Sequence, residues 1–143
     1  MGALVDSSIF IAATNEEIHT SWADQTLITY DDYFVSPVVL SELEAGCHMA
    51  RDVAVALRRR QALQYALDAE CLPIGSMTAT THARLRVQLA RLGKTRNRIN
   101  DLWLAATALE HNCDLLTCNP RDFADVPGLR VVSPPAPATD TAP

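Results

Sequence analysis

The sequence has no long hydrophobic run. No apolar stretch approaches the ~20 residues that a membrane-spanning helix requires. The N-terminus also lacks the basic region that precedes the apolar segment of a secretory signal peptide. We therefore expect no membrane association, and the absence of a targeting signal favours a cytoplasmic location.

Paired cysteines are also absent. The chain has four cysteines, none in a C-x-x-C pair, and no histidine lies at zinc-finger spacing from them. They are Cys47, Cys71, Cys113 and Cys118. A disulfide framework is not expected in a chain of 143 residues without a secretion signal. We predict free, mostly buried thiols, because free cysteine behaves as a small hydrophobic residue.

Positive charge is in deficit, with a formal net charge of -5. This balance argues against a protein that coats nucleic acid non-specifically, since such binding depends on basic residues. It does not exclude a nuclease, because the clustered carboxylates of a metal site themselves make the total negative.

The chain also lacks internal repeats and any sign of a second domain. Hydrophobic residues make up 48% and charged residues 20%, which is ordinary for a globular protein with a sizeable core. We predict a single domain over residues 1–133. Residues 134–143 are rich in proline and alanine, which predicts a disordered tail.

The most informative stretch runs from Arg96 to Phe123. An apolar face recurs at i, i+3, i+4 and i+7 through Leu102, Ala105, Ala106 and Leu109, which predicts an α-helix. Asp101 lies at the start of this helix, where a carboxylate is favoured by the backbone N–H groups and the dipole. Asn112 is a candidate left-handed stop residue. Residues 115–117 then predict a short buried strand, followed by a polar turn.

The N-terminal segment predicts a second strand that ends in a carboxylate. Residues 3–5 form a short apolar run that stops at Asp6, and residues 9–13 read as a helix. Asp6 or Ser7 is equally explained as a helix cap. The functional reading of Asp6 depends on its place directly after the first strand, where ligands bind in parallel sheets.

The segment at residues 34–46 predicts a strand end followed by a capped helix. Ser36 suits the cap, and Pro37 suits the first helical position. Glu42 follows Val38 and Val39 at helical spacing, so we expect it on the core-facing stripe with a partner, since an unpaired buried charge is very costly. Glu44 is expected to be solvated.

The middle of the chain predicts helices and one basic loop. Residues 47–72 form one long amphipathic segment, and residues 78–92 form another helix. Gly93 ends that helix, and Lys94, Arg96 and Arg98 follow it. These basic side chains are candidate RNA contacts, because phosphodiester substrates require positive charge, although a plain polar loop explains them nearly as well.

Four carboxylates therefore share one kind of placement: Asp6, Glu42, Asp101 and Asp122. Each follows a predicted strand or opens a predicted helix, and the strand–helix alternation indicates an α/β fold with a parallel sheet. The carboxyl ends of such strands meet at one edge, so these side chains can converge. Ser8, Thr117 and Asn119 are candidate neighbours of the site.

With these residues in place, the chain resembles PIN-domain proteins, and among them VapC-type toxin ribonucleases. LVDSSIFIA is similar to the family's opening strand and first acid, SPVVLSELEAG to its second-acid helix, and NDLWLAATALEHNCDLLTCNPRDFADVPGLRVV to its closing half. The resemblance extends from Leu4 to Val132. It implies a PIN-like three-layer α/β/α sandwich with a central, mostly parallel sheet.

One position departs from the family pattern. Many members have an aspartate where this chain has Asn119. Either Asp122 supplies the last carboxylate, or three acids form the site with Asn119 as a neutral oxygen ligand. We favour Asp122.

The charge pattern predicts metal-dependent chemistry. Clustered carboxylates repel one another unless a cation lies among them, and Mg²⁺, or Mn²⁺ in its place, prefers such oxygen ligands. We predict Asp6, Asp101 and Asp122 as metal ligands, with Glu42 as a fourth catalytic residue. The resemblance implies endonucleolytic cleavage of a transfer or ribosomal RNA that inhibits translation, a VapB-type antitoxin partner and a homodimer.

Other functions remain open from the sequence. A haloacid-dehalogenase-like phosphatase also places an aspartate after its first strand, but it needs a second aspartate two residues later, where this chain has Ser8. A non-toxin PIN nuclease and an inactive PIN-fold interaction module are the further alternatives. An inactive module would be expected to lose acids, and this chain keeps them.

Overall fold

The computed structural model describes residues 1–18, 22, 25, 26, 29–94 and 98–135, and its centre is a five-stranded sheet. The strands are β1 (Gly2–Val5), β2 (Asp32–Val35), β3 (Glu70–Cys71), β4 (Asp114–Leu116) and β5 (Val131–Val132). Their order is β3-β2-β1-β4-β5, and each neighbouring pair is parallel. The predicted parallel α/β sheet is confirmed, and β1 lies at its middle.

Helices flank this sheet. They are α1 (Ser7–Thr14), α2 (Pro37–His48), α3 (Val53–Leu67), α4 (Ser76–Arg91) and α5 (Ile99–Glu110), with a 3-10 turn at Pro120–Phe123. The helix α2 packs against α3, α1 also packs against α3, and α4 packs against α5.

Alternate residues of β1 enter two separate hydrophobic cores. Leu4 belongs to the larger core with Val35 and Leu115, whereas Ala3 and Val5 belong to the smaller one. Because successive side chains of a strand point to opposite faces, both faces of the sheet are covered. The fold is therefore the predicted three-layer α/β/α sandwich.

Two predicted helix starts are confirmed. The Asp6 carboxylate accepts a hydrogen bond from the Ser7 backbone N–H and caps α1. The Ser36 hydroxyl accepts one from the Val39 N–H at 3.4 Å and caps α2, whose first residue is Pro37. Both caps satisfy backbone donors that have no partner within the helix.

The prediction of one long amphipathic segment over residues 47–72 is wrong. The helix α2 ends at His48, and a new helix begins after Asp52, whose carboxylate accepts from the Val55 N–H at 2.9 Å. After α3, Glu70 pairs with Phe34 as part of β3. The amphipathic pattern runs across both breaks because each piece buries an apolar face, so periodicity alone did not reveal them.

The other boundaries differ by one or two residues. The predicted strand at residues 115–117 is β4 at Asp114–Leu116, and α4 begins at Ser76 rather than at residue 78. Asn112 has a backbone φ of 51° and is left-handed, as predicted for a residue that ends a helix.

The four cysteines are free, as predicted, although only Cys47 and Cys113 are buried. No helix in the described part of the chain combines the length and the hydropathy needed to cross a membrane. Arg96 and residues 136–143 lie outside the described residues, so the RNA contact predicted for Arg96 and most of the predicted disordered tail stay predictions.

Candidate active site

Asp6 is buried at the carboxyl end of β1, with 9% of its surface exposed. Its Oδ1 accepts from the Ser7 N–H at 2.9 Å, and its Oδ2 accepts from the Ser8 hydroxyl at 2.8 Å and from the Thr117 hydroxyl at 2.7 Å. Thr117 directly follows β4, which pairs with β1. Hydrogen bonds from two adjacent strand ends therefore fix this carboxylate.

The predicted neighbours of Asp6 differ in how they take part. The Ser8 hydroxyl also accepts from the Cys118 N–H at 3.0 Å, and the Thr117 hydroxyl accepts from the Asn119 N–H at 3.0 Å. Ser8 and Thr117 thus contact Asp6 directly. Asn119 takes part in this network through its backbone N–H, and the residue as a whole is exposed.

Glu42 lies on α2, and the structure places it on the exposed side of that helix. The expectation of a core-facing Glu42 is wrong, because the buried stripe of α2 is Val39, Leu43 and Cys47, about 100° around the helix. The carboxylate nevertheless has partners, since it accepts from the Ser7 hydroxyl at 2.7 Å and from the Asn100 amide at 3.4 Å. These contacts join α2 to α1 and α5.

Asp101 lies in the first turn of α5, two residues after the helix begins. Burial, followed by the charges of Asp122 and Asp6, raises the pKa of Asp101 to about 6. The charge of Glu42 raises this pKa further, whereas the Arg98 guanidinium lowers it. The four predicted acids therefore form one electrostatic cluster centred on Asp101.

Asp122 reaches this cluster from the 3-10 turn that follows β4. The residue itself is exposed, but the next residue, Phe123, is only 2% exposed and belongs to the larger core. The buried ring anchors the turn, so the carboxylate beside it is held near Asp101 without being buried itself.

The donor set fits a divalent cation in chemistry and charge. All four side chains offer carboxylate oxygens, the ligands that Mg²⁺ and Mn²⁺ prefer, and the charges of the other three acids add to burial in raising the pKa of Asp101. Within the described residues, however, no three Asp, Glu, His or Cys side chains form a ready metal-binding group. The carboxylates would have to turn towards one another to coordinate an ion.

Two of the predicted basic residues, Lys94 and Arg98, lie beside Asp125. The Arg98 guanidinium is 2.6 Å from the Asp125 Oδ2, and its side chain is only 10% exposed. Burial raises the pKa of Asp125, but the hydrogen bond and charge of Arg98 outweigh it and hold that pKa below its ordinary value. Lys94 is 3.9 Å from the same oxygen and half-exposed, so it remains more accessible than Arg98.

The sequence reading missed three residues that hold the site together. Ser7 was weighed only as a cap, yet its hydroxyl binds Glu42, and Asn100 binds the same carboxylate. Asn100 directly precedes Asp101, which was the one available signal for it. Asp125 had no signal, because its pairing with Arg98 spans 27 residues and depends on the folded chain.

The cluster opens to the surface on one side. A cavity of about 480 Å³ is lined by Glu42, Arg98, Ile99, Asn100 and Asp101. A ligand can therefore reach two of the four carboxylates from outside.

Comparison with known proteins places this geometry in a family context. A family model described as "PIN domain" matches residues 3–129. The chain is 34% identical to Ribonuclease VapC of Rickettsia bellii over 94% of this chain and 98% of that protein. It is 35% identical to Ribonuclease VapC5 of Mycobacterium tuberculosis over 90% of each chain. The crystal structure of VapBC-5 from M. tuberculosis, a member of the VapBC family of toxin–antitoxin systems, matches with a TM-score of 0.73, at 32% identity over 92% of this chain and 96% of that one.

Proposed function

Because the chain belongs to the PIN-domain family, we propose that it is a metal-dependent endoribonuclease and the toxin of a VapBC-type toxin–antitoxin pair. Its similarity to ribonucleases VapC along nearly the whole chain supports this assignment. The observation that carries it is that Asp6, Glu42 and Asp122 act electrostatically on Asp101, whose pKa is raised to about 6 by burial first and then by these charges. Such a cluster needs a cation to balance its negative charge. A cation held there would also bind the negatively charged phosphate of a phosphodiester.

Asp6, Asp101 and Asp122 would hold Mg²⁺, or Mn²⁺ in its place, and Glu42 would complete the charge. Bound there, the ion would supply Lewis-acid chemistry, polarising a phosphoryl oxygen and lowering the pKa of a water for in-line attack. The products would be a 3′ hydroxyl and a 5′ phosphate.

The chain's own residues orient these carboxylates. Ser8 and Thr117 donate to one oxygen of Asp6, which keeps that oxygen in place. Ser7 and Asn100 each donate to a different oxygen of Glu42, so this exposed side chain is held by residues of α1 and α5. Positioning of this kind reduces the reorganisation that the reaction requires.

We further propose the cytoplasm as the site of action and a transfer or ribosomal RNA as the substrate, so that cleavage inhibits translation. A small VapB-type antitoxin is the expected partner, since an active ribonuclease would harm its own cell. Pairing of this kind is the subject of the VapBC-5 structure to which the chain is similar.

The direct test is cleavage of total cellular RNA by the purified protein with Mg²⁺, with Mn²⁺, and with EDTA. We expect cleavage with either ion and none with EDTA, and fragments whose 3′ hydroxyls can be extended by poly(A) polymerase. A phosphate ester such as p-nitrophenyl phosphate serves as the alternative substrate. Hydrolysis of that ester without RNA cleavage would identify a phosphatase instead, and inactivity on both substrates would favour an interaction module.

A further inference from the structure

A second, larger cleft of about 800 Å³ lies between α4 and α5, outside the carboxylate cluster. Its walls include His82, Arg86 and Val87 from α4, Lys94 from the following loop, and Ile99 and Trp103 from α5. None of the four predicted acids lines it. The proposed chemistry therefore leaves this cleft without a role.

The cleft adjoins the cavity at the candidate active site. Arg98 and Ile99 line both the cleft and the cavity that contains Glu42 and Asp101. A linear molecule that lies in the cleft can therefore extend past these two residues to the carboxylates.

The charge of the cleft is opposite to that of the cluster beside it. Its lining contains three cationic side chains, Arg86, Lys94 and Arg98, and no carboxylate. Arg98 is committed to Asp125, but Arg86 is exposed and has no ion-pair partner among the described residues. A polyanion cut at the carboxylates needs positive charge for its neighbouring phosphates, and this cleft supplies it.

The walls between these cations are aromatic and apolar. His82 stacks on Trp103 with ring centroids 3.8 Å apart and an angle of 14° between the planes. Burial, and secondarily the charge of Arg86, lowers the pKa of His82, so the stack is neutral at pH 7. Val87 and Ile99 are 49% and 63% exposed, which leaves apolar surface beside the stack. Nucleobases bind such surfaces through their flat faces.

We propose that the α4–α5 cleft binds the single-stranded RNA segment next to the phosphate that is cut. Arg86 and Lys94 contact backbone phosphates, and the bases lie against Val87, Ile99 and Trp103. This inference rests on the proposed ribonuclease function and names the part of the surface that holds the substrate.

The test uses RNA binding as well as cleavage. Binding of a fluorescein-labelled, mixed-sequence, single-stranded RNA is measured by anisotropy in EDTA, where cleavage is not expected. Arg86→Glu should raise the dissociation constant about tenfold or more. It should also reduce, by about one, the number of counterions released on binding, which is measured as the slope of log affinity against log salt concentration. In Mg²⁺ the same variant should raise KM far more than it lowers kcat.

Arg84→Glu is the matched control. Arg84 lies on the same helix, is exposed, and does not line the cleft, being about 200° around the helix from Arg86. Both variants change the net charge by the same amount, so a general electrostatic effect would appear in both. Val87→Glu is a second cleft variant that retains Arg86 and should also weaken binding.

The outcomes separate this proposal from the function on which it rests. Loss of binding in EDTA that is specific to the two cleft variants supports the cleft, even if no RNA is cleaved in Mg²⁺. Equal binding by Arg86→Glu and Arg84→Glu in a protein that cleaves RNA overturns it. A change of oligomeric state in Arg86→Glu without weaker RNA binding also overturns it, because the cleft would then join two copies of the chain.

Discussion

At the scale of single residues, Asp6 and Asp101 differ in how their carboxylates are hydrogen-bonded. Asp6 is buried, but its carboxylate accepts four hydrogen bonds, from the Ser7 N–H and hydroxyl and from the Ser8 and Thr117 hydroxyls, which satisfy it where it lies. Among the described residues, Asp101 has no such donors, and it lies near three other acids. The first carboxylate is therefore positioned by the protein, while the second retains the unbalanced charge that a cation would neutralise.

We expect Asp6→Asn to abolish RNA cleavage, with a loss of about a hundredfold or more, because it removes a charged ligand from the proposed metal site. The fold should survive, since the amide is nearly isosteric and the substitution relieves repulsion with Asp101. Cleavage assays and thermal melting check the two parts of this prediction. Glu44→Gln is the control, because Glu44 is an exposed acid on α2 that pairs with His48. Full activity in Asp6→Asn would show that Asp6 is not a ligand.

The raised pKa of Asp101 predicts how stability depends on pH in the absence of metal. Its folded pKa of about 6 lies above the ordinary value of 3.8, so its favourable contribution is complete below pH 3.8 and is lost as the pH rises through 6. In EDTA, Asp101→Asn should equal the wild type below about pH 3 and exceed its unfolding free energy by roughly 1 kcal/mol near pH 8, after allowance for solvent screening.

Urea unfolding at a series of pH values measures this difference. Mg²⁺ should reverse its sign at pH 8, because the ion stabilises only the folded protein that retains the carboxylate. A difference that is independent of pH would contradict the assigned environment of Asp101.

At the scale of the elements, the 3-10 turn after β4 connects the core to the site. Phe123 is buried in the larger core, and the charge of the adjacent Asp122 raises the pKa of Asp101. A core residue and a predicted site residue are thus consecutive in one short turn.

We predict that Phe123→Ala destabilises the fold by about 3–5 kcal/mol and also lowers the activity of the molecules that remain folded. Loss of the ring leaves the turn without its anchor, so Asp122 is no longer held near Asp101. Leu85→Ala is the control, because it truncates a buried side chain on α4 at a similar cost. Urea unfolding gives the folded fraction, and cleavage is compared per folded molecule. Equal specific activity in the two variants would contradict the anchoring role.

The elements also show where sequence patterns succeed. Ser36 and Pro37 predicted the start of α2 correctly, because a cap acts on backbone groups only three residues away. The break between α2 and α3 was missed, although Asp52 is a cap of the same kind. The hydrophobic period continues through the break, so the local signal at Asp52 was outweighed by a pattern that two separate helices share.

At the scale of the whole molecule, exposed apolar side chains suggest assembly. Val53 and Leu57 lie one turn apart on α3 and are 76% and 62% exposed. We predict a two-fold homodimer that places two acidic sites along one groove. Sedimentation should give a dimer at micromolar concentration, and Leu57→Glu should weaken it. Met77→Glu, at an exposed position on α4, should not. A wild-type protein that sediments only as a monomer would contradict the prediction.

Inhibition by the proposed antitoxin is the second prediction at this scale. We expect an antitoxin segment to place apolar side chains against residues 9–13 and 38–43 and an arginine near Asp6 and Asp101. A guanidinium is permanently charged and binds carboxylates in a fork, so it would compete with Mg²⁺ for the same oxygens.

Raising the Mg²⁺ concentration should therefore weaken inhibition by the antitoxin peptide. Replacing its arginine with alanine should restore cleavage more than it weakens binding. Inhibition that is indifferent to both changes would indicate a block of RNA access at a distance.

What the sequence determined by itself is the set of local features. These features are the apolar run of β1, the cap at Asp6 and the left-handed Asn112. Each depends on a few neighbouring residues, so the order of residues along the chain is enough to predict it. The placement of four acids at strand ends and helix starts follows from the same local signals, and with it the expectation of a shared edge.

Only the tertiary structure decided which side chains meet at that edge. The Thr117 hydroxyl reaches Asp6 across 111 positions of the chain, and Arg98 pairs with Asp125 across 27 positions. Such contacts depend on the pairing of β1 with β4 and on how α5 packs, which are set by the whole core. The pKa of Asp101 depends in addition on burial and on several distances at once. No local pattern carries that information, because electrostatic interactions act between residues that folding alone brings together.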